Sequence, residues 1–75
     1  MRYFFDIRDD FFAAQDSEGE ELPSADAARR EAVKIATSIA ADLFVANGCE
    51  VTITVRDEER SLFDISVCLR TKDLR

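Results

Sequence analysis

Apolar and polar residues alternate from Arg2 to Arg8. Tyr3, Phe5 and Ile7 fall on one side, and Arg2, Phe4, Asp6 and Arg8 on the other, the period of two that marks a strand. Asp9-Asp10 suits a turn, because a short carboxylate accepts hydrogen bonds from the backbone just ahead of it. Residues 11–15, which include Phe11 and Phe12, are a candidate second strand, weakened by two alanines. Residues 16–21 read as a polar loop, with Gly19 its natural left-handed position. Leu22-Pro23-Ser24 then announces a helix. Ser24 is placed to cap its first turn, and Asp26 suits the positive end of its dipole.

The apolar positions Ala28, Ala32, Ile35, Ala36, Ile39 and Leu43 recur at spacings of three and four, one helical stripe. Arg30, Lys34, Thr37, Ser38 and Asp42 occupy the opposite side, and Asn47-Gly48 predicts the end. At about 1.5 Å per residue such a helix is roughly 35 Å long. Alternation resumes over residues 50–56, with Val51, Ile53 and Val55 against Thr52, Thr54 and Arg56. After a turn at residues 57–60 it continues over 61–70, with Phe63, Ile65, Val67 and Leu69 inward and Leu62, Asp64, Ser66, Cys68 and Arg70 outward. The pattern predicts an α+β fold of order β-β-α-β-β. Its four-stranded antiparallel sheet carries one long helix on one face. Sequential hairpins that stay paired give the strand order 11–15, 2–8, 50–56, 61–70.

Composition changes this picture little. The 75 residues make a single small domain, 1–75, and 47% hydrophobic residues with six Phe supply a core. No apolar run approaches the roughly 20 residues that span a bilayer. Asp6 interrupts the N-terminal apolar stretch too early for a signal peptide, so a cytoplasmic location is expected. The net charge of −6 is more telling. Residues 1–26 hold two basic against eight acidic groups, whereas residues 27–75 balance eight against eight. Nucleic acid and anionic membranes repel the first of these surfaces.

Histidine is absent, which removes the commonest general base and metal ligand and any Ser-His-Asp or Cys-His arrangement within the chain. The chain is expected not to be an enzyme and to use no cofactor. The acidic stretch from Asp9 to Glu21 lacks the spaced acids and later Glu of a calcium loop and reads as a solvated loop. Cys49 shares the parity of Val51 and Ile53, whereas Cys68 lies opposite Val67 and Leu69. Strand parity separates the two thiols, which predicts neither a disulfide nor a zinc site.

Arg2-Tyr3-Phe4-Phe5, Arg8-Asp9, the loop Asp16-x-x-Gly19-x-Glu21-Leu22-Pro23 and Ala27-Ala28-x-x-Glu31-Ala32 together resemble a family of short bacterial proteins known only as a domain of unknown function. Two positions depart from it: members often carry His where Asp6 stands and Gly where Asp10 stands, which points to an altered first hairpin. The resemblance implies a compact bacterial, intracellular domain. It implies no activity, cofactor or partner.

With one helix over one face, the other face of the sheet is uncovered. Phe4, Leu62, Cys68 and one of Phe11 and Phe12 are candidates for an apolar patch there, beside Thr52 and Thr54. Edge strands add unpaired backbone groups. The leading expectation is therefore a non-catalytic interaction domain that forms a homodimer or binds another protein. The alternative is a weak nucleic-acid accessory protein using Arg2, Arg8, Arg56 and Arg70 on the open face.

Overall fold

The structure, a computed structural model, describes residues 1–11, 13–42 and 49–74. The first alternating run forms β1 (Arg2–Arg8). Two short strands follow, β2 (Ala13–Ala14) and β3 (Glu20–Glu21), then the helix α1 (Ala25–Asp42) and the hairpin of β4 (Cys49–Arg56) and β5 (Ser61–Leu69). The sheet order is β2-β1-β4-β5, with β3 also on β1, and every pairing is antiparallel. This is the α+β architecture and strand order that the hydrophobic pattern predicts.

Two differences are instructive. Of the expected second strand, Ala13 and Ala14 pair with β1 while Gln15 falls outside it, a short element in keeping with the low strand preference of alanine. Phe11 stays out of the sheet at 83% exposed, and Phe12 lies outside the described residues. The loop expected over 16–21 instead ends in β3, whose Glu20 and Glu21 pair with Tyr3 and Arg2. β2 and β3 thus occupy the same edge of β1, one at each end.

α1 begins where Ser24 predicts. Its Oγ accepts a hydrogen bond from Ala27 N–H at 3.1 Å, satisfying a first-turn donor. The 18 helical residues run about 27 Å at 1.5 Å each. The expected stop at Asn47-Gly48, and Leu43 of the stripe, lie outside the described residues. The buried centre of the stripe is Ala28, Ala32, Ala36 and Ala40, with Ile35 and Ile39 at its flank. Small side chains let α1 settle close on β4 and β5, which it touches about equally. Val51, Ile53 and Val55 are fully buried beneath it, and Tyr3 and Phe5 complete the core from β1. Arg29 lies over the Phe63 ring at 4.1 Å, so the helix N-terminal half stands above the start of β5.

Cys49 pairs with Leu69 and packs on the core, while Cys68 pairs with Glu50 and is exposed. Both thiols are free, as strand parity requires.

Candidate functional site

The outer face of the sheet was the sequence's candidate surface, and its central rows are polar ladders. Thr52 and Ser66 share a hydrogen bond at 2.9 Å, and Thr54 donates to Asp64 at 2.8 Å. Thr52 is buried despite facing outward. The expected apolar patch does not form. Phe4 lies beneath the Arg56 guanidinium, 4.6 Å from the ring centroid, with Gly19 against its edge. Leu62 is the extra residue of a β-bulge: Val55 faces Phe63 and Arg56 faces Ser61, which turns Leu62 onto the core. Cys68 is exposed two rows from Asp64, away from both.

What covers Phe4 is a clasp. Arg56 Nε donates to Asp6 Oδ2 at 2.8 Å, and Arg56 Nη2 donates to the Asp16 carbonyl at 2.6 Å. Asp16 N–H donates to Asp6 Oδ1 at 2.9 Å. The Asp16 carboxylate in turn accepts Phe5 N–H on one oxygen and Glu18 N–H and Gly19 N–H on the other, each at 3.1 Å. Partial burial opposes the charge on Asp16, but the N–H groups of Gly19, Phe5 and Glu18, with Arg56 nearby, outweigh it and hold its pKa below the usual carboxylate value. Gly19 completes the loop at φ 72°, and a Cβ there would meet the Tyr3 carbonyl at 2.8 Å. Arg2 Nη1 ties the same loop down through the Glu18 carbonyl at 2.8 Å.

The four arginines therefore do not form a stripe. Arg2 and Arg56 are held by the loop, Arg8 stands opposite Thr52 beside Asp9, Asp10 and Glu50, and Arg70 follows the end of β5. A groove of about 440 Å³ opens between β1 and α1, lined by Phe5, Ile7, Ala14 and Ile35. Its one carboxylate in the clasp, Asp16, already holds three backbone donors. No group of three or more Cys, Asp or Glu among the described residues is placed to hold a metal ion. No helix among them is long and apolar enough to cross a membrane.

The clasp leaves the two edges of the sheet unlike. On the β1 side, β3 covers Arg2 and Tyr3, β2 covers Ile7 and Arg8, and Asp16 takes the Phe5 N–H between them. That bond also fixes the ladder. Phe5 N–H points away from β4, so Phe5–Val55 is a non-hydrogen-bonded pair and Asp6–Thr54 a bonded one. By the same alternation Val51, Ile53 and Val55 bond to Val67, Ile65 and Phe63. The N–H and C=O groups of Asp64, Ser66 and Cys68 then point outward along β5, where no strand pairs with them among the described residues.

These motifs lie within residues 2–68, which match the model of a family described as a domain of unknown function, DUF6894. The chain belongs to the DUF6894 family. No curated protein and no solved structure matches it. In this DUF6894 chain, Asp16, Gly19 and Glu21 of the loop have structural work: Asp16 and Gly19 build the clasp, and Glu21 pairs with Arg2 on β3.

Proposed function

We propose that this DUF6894 domain is a non-catalytic self-association module whose docking element is the free edge of β5. The observation that carries the reading is the contrast between the edges. One is closed by two short strands and a carboxylate. The other offers a strand of nine residues, with no Pro, no Lys and a single charge at Asp64. Ile65, Val67 and Leu69 on its inner side keep part of their surface exposed, so an added strand also buries apolar area. A small domain gains stability from such burial. With one free edge per chain among the described residues, pairing of two chains uses both free edges and ends in a closed dimer rather than a fibre.

The non-catalytic reading rests on the absence of His from the sequence and on the clasp, whose charged groups satisfy one another. Light scattering across a concentration range tests the proposal. Wild type is expected to reach twice the mass of one chain. Cys68→Pro and Ser66→Pro each remove an outward N–H while sparing the backbone bonds to β4; Ser66→Pro also gives up the hydroxyl bond to Thr52, so Cys68→Pro is the cleaner variant, and both are expected to stay monomeric with the fold intact by circular dichroism. A wild type that is monomeric throughout, or folded proline variants that dimerise as wild type does, would refute the edge as docking element.

A further inference from the structure

We infer that the strand added to β5 is β5 of a second copy in one register, related by a two-fold axis through Ser66, with the two α1 helices packed side by side. This inference rests on β5 being the docking edge. The outward backbone groups belong to even-numbered residues, so a symmetric antiparallel seam must pair even with even. The strand is regular from Phe63 to Leu69, because Leu62 is bulged. Centring the axis on Ser66 overlaps all seven regular residues. Ser66 then faces its own copy, and Asp64 faces Cys68 in both directions. Centring on Asp64 sets two carboxylates opposite each other, which is destabilising. Centring on Val67 sets Asp64 opposite Arg70, but it leaves Phe63 opposite Thr71 and requires β5 to extend beyond Leu69.

The side chains favour the same register. On the inner face Phe63 meets Leu69 and Ile65 meets Val67, each pair twice, so all four contacts are apolar. They are non-hydrogen-bonded pairs, in which side chains stand closest. Leu69, 37% exposed in one chain, gains the Phe63 ring as its cover. The helices fit as well. α1 lies over β4 and β5 about equally, so its axis is half a strand spacing inside β5. Across the seam the two axes are two strand spacings apart, about 10 Å, which is the distance of packed helices. Val33, 43% exposed and one turn beyond Arg29 on the flank above β5, faces that contact.

Cysteine cross-linking reads the register directly. Cα atoms of facing strand residues lie about 5.5 Å apart, within disulfide reach. Asp64→Cys is therefore expected to give a covalent dimer under mild oxidation, with mass spectrometry placing the bond between positions 64 and 68 of different chains. Wild-type Cys68 stands about 14 Å from its own copy in this register and is expected to remain a thiol. Val33→Glu, which sets two carboxylates into the helix contact, is expected to weaken association about tenfold.

A dimer in which Ser66→Cys bonds to Cys68 and Asp64→Cys does not would overturn the register while leaving the edge reading intact. An unchanged dissociation constant for Val33→Glu would overturn the helix contact. A wild type that never dimerises would remove both this inference and the reading beneath it.

Discussion

Asp16 is the residue on which the shape of the sheet edge turns. Its carboxylate stands where a strand would otherwise run, receiving the Phe5 N–H in the gap between β2 and β3. Replacing it with Ala leaves three N–H groups without their acceptor, two of them part-buried, and should cost about 2–3 kcal/mol. Asp16→Asn keeps an acceptor oxygen and loses less. The pH dependence has a definite sign. The folded pKa lies below the ordinary 3.8, so the charge contributes stability above that value and loses it as pH falls through the folded pKa. Urea unfolding should show the full difference between wild type and Asp16→Asn at pH 7 and a smaller one at pH 3. An equal difference at both would mean that shape, not charge, is what Asp16 supplies.

Among the elements, α1 shows how closely a helix approaches a sheet when alanine lines the contact. Ala28, Ala32 and Ala36 have no exposed surface. Ala36→Leu should force the helix off β4 and β5 at a cost of about 1–3 kcal/mol, read as a lower midpoint in chemical denaturation. The helix, β1 and the β4–β5 hairpin were legible because each repeats its period over seven residues or more. β3 was not, since two glutamates in a polar loop carry no period and pair only because Gly19 turns them back onto Arg2 and Tyr3. The outer face of the sheet was half legible. Parity set Phe4 on the outer face correctly, but it could not show that Arg56, 52 residues later, lies over the ring. Nor could it show that a bulge turns Leu62 to the core. Closing the β1 edge between β2 and β3 depends on one side chain bonding one amide, a contact between Asp16 and Phe5 that no periodicity encodes.

At the scale of the whole molecule, the placement of charge decides how association should respond to salt. The net −6 belongs to residues 1–26, which build β1, β2 and β3 and the start of α1, while residues 27–75 are neutral in sum. In a dimer joined at β5, the two β1 strands stand five strand spacings apart, about 24 Å, more than twice the screening length of about 10 Å in 0.1 M salt. The acidic regions therefore barely sense each other, and the seam itself holds apolar pairs and backbone bonds. The dissociation constant should stay level, or fall slightly, between 50 and 500 mM NaCl when followed by analytical ultracentrifugation. Binding of the four arginines to nucleic acid would instead weaken many-fold over that range, because each phosphate contact releases counterions. A dissociation constant that climbs tenfold with salt would put ion pairs at the interface and move it off the β5 edge, toward the charged surface around β1.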